Sequence, residues 1–320
     1  MTTKNEVKLE TYVKRPRKLQ PLMEQELGPN GRLRPILDKV LKDNRLRLEI
    51  RDRRFNVYYD GGNLMLVDGR EQPWELHFDK RYFSGGALIP PGLPTTLSSR
   101  DDSMTWVRAF PELIEGMKSW WSRHPRGERT DCQAITAANC SAAGLPKADY
   151  LILDLEYQWA QRRFDMVAVK RNPTAIDPAG WVEPDFVFVE LKSALGACIG
   201  KSGLAEHARD YQDIVRARDG RCAEDIKSEF ADVIAQKQRL GLIDASFPFQ
   251  RFSPAPPELL IVFFGSAFDS PKKEKIAAEI KEVGAVADAL GNRGRIFRMR
   301  LNAANYVMNS RDTVPMRTGS

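Results

Sequence analysis

The sequence predicts an α/β protein in which a mixed β-sheet is flanked by helices and preceded by an N-terminal β-rich α+β domain. In the first half, apolar and charged residues alternate over 45–50, a period of two that is typical of a half-buried strand. In the second half, strand-like and helix-like segments alternate, and 259–264 is a continuous apolar run, typical of a strand buried on both faces. The chain of 320 residues is long enough for two domains, which we place at 1–125 and 126–320.

The individual elements are predicted from periodicity and turn residues. N-terminal strands are predicted at 45–50, 53–59, 63–67 and 74–78, with one helix ending near Lys42 and another at 109–123. Because the segment 84–102 is rich in Gly, Pro and Ser, we expect it to be a long loop. C-terminal strands are predicted at 150–157, 164–169, 185–192, 259–264 and 295–301, and helices at 203–218, 223–240 and 272–289.

Composition narrows the class of protein. A formal net charge of +6 is compatible with binding to nucleic acid, although many basic enzymes share it. The four cysteines and three histidines are scattered without a C-x-x-C pair, so we expect reduced thiols and neither a zinc site nor a disulfide framework. The longest apolar run is too short to span a bilayer and the N-terminus has no apolar signal segment, so we expect a cytoplasmic protein without a membrane partner.

The most informative segment is 186–192, an apolar strand that ends in Glu190-Leu191-Lys192. Side chains alternate across a strand, so Glu190 and Lys192 project from one face, roughly 7 Å apart. An acid, Asp165, begins the preceding apolar strand, and the turn-rich connection allows the two strands to pair. Two carboxylates brought together in this way can hold Mg²⁺ or Mn²⁺, and the lysine can orient a water or stabilise the transition state.

This arrangement resembles the PD-(D/E)XK nuclease superfamily, which has the restriction-endonuclease-like fold, over about residues 128–305. The resemblance implies that Asp165 and Glu190 bind the metal and that Lys192 assists the attacking water. Members of that family often add a glutamine or tyrosine on the following helix, which implies a site role for Gln212.

The sequence departs from the family pattern before the first acid, where Phe164 stands in place of proline. A literal Pro-Asp occurs at Pro184-Asp185. Asp185 is five residues before Glu190 on the same strand, hence on the opposite face and roughly 16 Å away. Asp165 is therefore the better candidate for the first acid.

Further site residues are predicted with open alternatives. A fourth acid is usual in this fold, and Glu156, near the end of an apolar strand, is favoured as a metal ligand; the alternative is an ion pair with Arg162 or Arg163. Lys201 and Ser202, in a glycine-rich segment, are expected to reach a substrate phosphate unless the segment is a plain connector. His207 either assists substrate binding or is an ordinary surface histidine of the following helix.

The function that the resemblance implies is Mg²⁺- or Mn²⁺-dependent hydrolysis of phosphodiester bonds by an endonuclease, with DNA favoured over RNA. A role in prokaryotic defence or in a mobile element would fit by analogy alone. The alternative is a catalytically inactive protein of the same fold that binds nucleic acid or assembles with a partner. A nucleotide-binding ATPase is disfavoured, because the glycine-rich segment lacks the spacing of a P-loop. A homodimer is left open, and the arginines of the first two strands are expected to contact substrate or partner.

Overall fold

We analysed a computed structural model of the chain, which describes residues 16–83, 90, 92–125, 127–140, 148–200, 203–265 and 273–318. The chain is α/β, with two β-sheets and flanking helices. It divides into two compact units. The meander unit contains the described residues of 15–133 together with 232–245, and the mixed-sheet unit those of 134–231 and 246–320.

The meander unit is built on a five-stranded antiparallel sheet whose strands follow the order of the chain. Its strands are β1 (Leu46–Arg51), β2 (Arg54–Tyr59), β3 (Gly62–Asp68), β4 (Trp74–His77) and β5 (Thr96–Leu97). Its helices are α1 (Pro21–Leu27), α2 (Arg34–Lys42) and α3 (Arg100–Arg123). The apolar face predicted for β1 is confirmed, since Leu46, Leu48 and Ile50 are buried in the core of this unit. The expectation of a half-buried strand is wrong, because Glu49 and Arg51 of the other face are buried as well.

The loop expected over 84–102 is wrong in its C-terminal part, which contains strand β5 and the first residues of α3. Helix α3 begins nine residues before the predicted start at 109. The physical reason is a capping box. The Ser99 hydroxyl accepts from the backbone N–H of Asp102, and the Asp102 carboxylate accepts from the N–H of Ser99. Pro111 lies inside the helix, which continues to Arg123.

The mixed-sheet unit contains a six-stranded sheet in the order β11-β10-β9-β8-β7-β6. Its strands are β6 (Tyr150–Trp159), β7 (Arg162–Lys170), β8 (Asp185–Lys192), β9 (Glu258–Phe264), β10 (Arg295–Leu301) and β11 (Val314–Pro315). Strand β7 is antiparallel to both of its neighbours, β6 and β8, and β8, β9 and β10 run parallel to one another. All eight residues of β8 are buried, because this strand lies between β7 and β9 and is covered on both faces.

Four helices complete the described chain: α4 (Gly127–Ala138), α5 (Leu204–Arg216), α6 (Arg221–Arg239) and α7 (Lys273–Leu290). The sequence did not predict α4. The divisions between the units fall within α4 and α6. Helix α5 is fixed in the mixed-sheet unit by the buried Tyr211, whose hydroxyl donates to the carbonyl of Pro257 and accepts from the N–H of Arg295 at 3.0 Å.

Candidate functional site

The C-terminal end of β8 carries a buried acid and a buried base. Glu190 is 4% exposed and Lys192 is 3% exposed. They lie two residues apart on one strand face, and the Lys192 Nζ donates to Glu190 Oε1 at 2.8 Å. A charged pair at this depth is costly unless further polar partners satisfy it.

The further partner is His207 on α5, whose Nε2 lies 2.8 Å from the same Glu190 Oε1. The loop after β8 leads into α5 at its N-cap Gly203, so His207 belongs to the first two turns of the helix. We call Glu190, Lys192 and His207 the Glu190 cluster. The structure therefore brings the candidate substrate-binding histidine to the C-terminal end of β8.

Two polar atoms of the Glu190 cluster have no hydrogen-bond partner within the described part of the chain. They are Glu190 Oε2 and His207 Nδ1, both buried. An unsatisfied buried polar atom is unfavourable by about 1–3 kcal/mol, so it requires an explanation such as an ion or a ligand.

Glu190 carries a negative charge at neutral pH. Burial raises the pKa of its carboxyl, but the hydrogen bonds and charges of His207 and Lys192 outweigh that effect and hold the pKa below its usual value. The buried Oε2 is therefore a carboxylate oxygen with lone pairs available.

Asp165 lies beside this cluster. Its Oδ2 accepts from the backbone N–H of Leu191 at 2.8 Å. The ladder between β7 and β8 ends at Met166↔Val189, so Asp165 lies at the end of this ladder, with its carboxylate against the backbone of Leu191 next to Glu190. The structure thus brings together the first acid and the Glu-x-Lys segment, as the predicted strand pairing required.

Glu156 lies on β6 at the level of Asp165. The pairs Leu155↔Met166 and Tyr157↔Phe164 flank the two acids and set them opposite each other. The backbone of Glu156 has a φ of 53°, in the left-handed region that a residue with a Cβ seldom adopts. Such strain is a feature of functional sites, so the half-buried Glu156 stays a candidate ligand.

A further group of acidic side chains, which the sequence analysis missed, lies on α5. Arg162, at the start of β7, has a side chain that is 6% exposed, and its Nη2 lies 2.5 Å from Asp213 Oδ2. Its Nε lies 3.6 Å from Asp210 Oδ1. We call Asp210 and Asp213 the α5 acid pair. The alternative expectation that Arg162 neutralises Glu156 gains no support from these contacts.

Asp210 has a perturbed pKa. Burial raises it, the charges of Arg162 and His207 oppose that rise, and the net pKa is about 6, compared with an ordinary value of 3.8. The sequence signal that could have found this residue is the spacing of His207, Asp210 and Asp213, three residues apart on one helix.

Gln212 lies on another side of α5. Five residues of helix place it about 140° around the axis from His207. Gln212 comes three residues after Arg209, and Arg209 pairs with Glu282 of α7. Gln212 therefore lies on a different face of α5 from His207, and the site role that the resemblance implies for it stays a prediction.

Two other predicted site residues, Lys201 and Ser202, lie outside the described residues. At the adjoining start of α5, the backbone N–H of Ala205 donates to the Glu279 carboxylate of α7 at 3.0 Å. This N–H is one of those that an anion at the helix N-terminus would use.

Asp185 lies at the other end of β8, as the strand geometry predicts, in a separate charged network. Lys170 donates to both oxygens of the buried Glu258 at 2.9 and 2.8 Å. Arg295 lies 2.7 Å from Glu258 and 3.5 Å from Asp185. The literal Pro-Asp is thus part of an ion network at the starts of three parallel strands.

Some of the arginines of β1 and β2 that we expect to contact substrate form contacts with other residues of the meander unit. Arg51 is buried and donates to the Ile50 carbonyl and the Tyr58 hydroxyl. Arg45 pairs with Asp43, and this pairing holds the pKa of Asp43 well below its usual range. Arg51 is therefore not available to a phosphate in this conformation.

The donor set at the Glu190 cluster fits a hard cation in its chemistry. Asp165, Glu190 and Glu156 carry carboxylate oxygens, which Mg²⁺ and Mn²⁺ prefer, and the buried Glu190 Oε2 has no hydrogen-bond partner within the described residues. Across the described ranges, no group of three or more His, Cys, Asp or Glu side chains is already arranged to hold a metal ion. The four cysteines are free thiols.

Comparisons with protein-family models, with curated proteins and with solved structures found no match to this chain. Among the residues that the structure describes, none of the helices has the length and apolar character needed to cross a membrane.

Proposed function

We propose that this protein is a metal-dependent phosphodiesterase that cleaves nucleic acid, with DNA favoured over RNA and internal cleavage favoured over cleavage from ends. The observation that carries the proposal is the buried, charged Glu190. One of its oxygens has no hydrogen-bond partner among the residues that the structure describes, and a buried lysine lies two residues away. The formal net charge of +6 supports a polyanionic substrate.

Each residue has a role in this proposal. Asp165, Glu190 and Glu156 would hold Mg²⁺ or Mn²⁺, which lowers the pKa of a bound water and stabilises charge on the phosphoryl oxygens. Lys192 would orient the attacking water or stabilise charge in the transition state. His207 would contact the substrate or hold the Glu190 carboxylate in place, since it already touches Oε1.

One observation favours the alternative of a binding or assembly protein with an inactive site. Glu190 Oε1 already accepts from Lys192 and lies against His207, so the carboxylate is largely neutralised without a metal. In that case Lys192 is a structural partner of Glu190 and nucleic acid binds without being cut.

Cleavage assays on four substrates separate the two candidates. Plasmid, linear duplex, single-stranded DNA and RNA are incubated with Mg²⁺, Mn²⁺ or EDTA, and wild type is compared with Glu190→Ala and Lys192→Ala. We expect metal-dependent cleavage that both substitutions reduce by at least about 100-fold. Tight binding without cleavage, unchanged by EDTA, would contradict the enzyme and support the binding protein.

A further inference from the structure

The Glu190 cluster and the α5 acid pair together hold three carboxyl groups and two permanent cations. The acids are Glu190, Asp210 and Asp213, and the cations are Lys192 and Arg162. The imidazole of His207 contacts Glu190. One carboxyl group therefore has no permanent cation of its own, and where it is shielded from solvent it is favoured to keep its proton.

The contacts identify which acid is in surplus. Glu190 has Lys192 at 2.8 Å, and Asp213 has Arg162 at 2.5 Å. Asp210 lies 3.6 Å from an arginine that Asp213 already neutralises, and its side chain is 23% exposed. It is thus shielded enough to favour the neutral acid and open enough to reach a bound molecule.

Asp210 also has the position that such a role requires. It lies on α5 three residues after His207, so the two side chains lie about 5–6 Å apart at Cβ on neighbouring turns. His207 contacts Glu190, so Asp210 is one side chain removed from the proposed metal ligand.

We propose that Asp210 is the general acid of the proposed phosphodiester cleavage, the group that protonates the leaving oxygen. This inference rests on the proposed function. The attacking water oxygen forms a bond to phosphorus and releases one proton to solvent. The bond from phosphorus to the leaving 3′ oxygen breaks, and that oxygen takes the proton of the Asp210 carboxyl. Asp210 is left as a carboxylate and regains a proton from solvent before the next turnover.

The surroundings of Asp210 agree with this role. Arg162 of β7 faces it, and the other charged or titratable neighbours are His207, Glu206 and Asp213 on α5. Burial and the two acids raise the pKa of Asp210 while Arg162 and His207 lower it, with a net pKa of about 6. A carboxyl in this range can donate a proton near neutral pH.

The test compares two substrates that differ in the need for a leaving-group proton. One is DNA, whose leaving group is an alkoxide that needs a proton. The other is the p-nitrophenyl ester of thymidine 5′-phosphate, whose leaving group is a stable phenolate that needs none. Asp210→Asn is compared with wild type, and Asp213→Asn is the matched variant at the same arginine. Circular dichroism spectra establish that each variant is folded.

We expect Asp210→Asn to lower kcat on DNA by at least about 100-fold and kcat on the nitrophenyl ester by less than about 5-fold, since general acids contribute about 10²–10⁴-fold. Asp213→Asn removes a charge that raises the pKa of Asp210, so it should weaken DNA cleavage above about pH 6 and leave cleavage of the nitrophenyl ester little changed. Equal loss on both substrates in Asp210→Asn, or no loss on DNA, would overturn the assignment while the nuclease proposal stands. Absence of cleavage by wild type would overturn both.

Discussion

Replacing Asp210 by asparagine should stabilise the folded protein in a pH-dependent way. The pKa of this carboxyl rises from 3.8 to about 6 in the folded chain, chiefly through burial. Asparagine has the shape of the protonated acid and no charge to bury. Since one pKa unit corresponds to about 1.4 kcal/mol, the charged form destabilises the native state by about 3 kcal/mol.

The direction of the pH dependence follows from the protons that each state holds. Between pH 3.8 and about 6 the unfolded chain has released the Asp210 proton while the folded chain still holds it. Stability from this group is therefore present at low pH and lost as the pH rises to about 6. The variant should match wild type near pH 4 and exceed it by about 3 kcal/mol at pH 8.

Urea unfolding followed by circular dichroism at several pH values measures this difference. Asp213→Asn is the control, because it removes the acid that Arg162 contacts at 2.5 Å and should destabilise the protein. A constant difference between Asp210→Asn and wild type across pH 4–8, or a less stable variant at pH 8, would refute the reasoning about the buried proton.

Three further predictions concern the backbone, a buried ion pair and the lysine of the site. Because Glu156 has a φ of 53°, Glu156→Gly should be more stable than Glu156→Ala by about 1 kcal/mol in thermal unfolding; equal stability would contradict a strained backbone there. Lys237→Met removes the ammonium group that contacts the buried Glu49 at 2.6 Å and should lower the free energy of unfolding in urea by about 1.5–3 kcal/mol, and adding Glu49→Leu should recover part of that loss. If the double variant stays as unstable as the single one, packing rather than charge explains the loss. Lys192→Met should weaken cleavage far more than binding of the same DNA in a filter assay, and equal losses would argue for a substrate-binding lysine.

Several features of the fold could be predicted because they depend on local patterning. The alternation of Leu46, Leu48 and Ile50 places these three side chains on one face of β1, which packs into the hydrophobic core. The apolar run at 259–264 becomes β9, a strand buried along its whole length. The α/β class follows from such segments, because each has a clear pattern of apolar residues.

Other features depend on contacts between distant parts of the chain. Arg162 meets Asp213 across 51 residues of sequence, so the α5 acid pair could not be connected with β7 from periodicity alone. The same limit applies to His207, whose contact with Glu190 requires the angle at which α5 leaves its N-cap. The start of α3 was readable in the Ser99 and Asp102 capping box, but the Gly- and Pro-rich stretch before it concealed the signal.

The most direct test of the central claim is the Mg²⁺ dependence of DNA cleavage by wild type and by Glu190→Gln, with Asp185→Asn as the control. Both substitutions neutralise a buried acid of β8, but only Glu190 belongs to the proposed site. The account predicts cleavage that rises with Mg²⁺ in wild type and in Asp185→Asn, and falls by at least about 100-fold in folded Glu190→Gln. Cleavage by Glu190→Gln at the wild-type rate would contradict it.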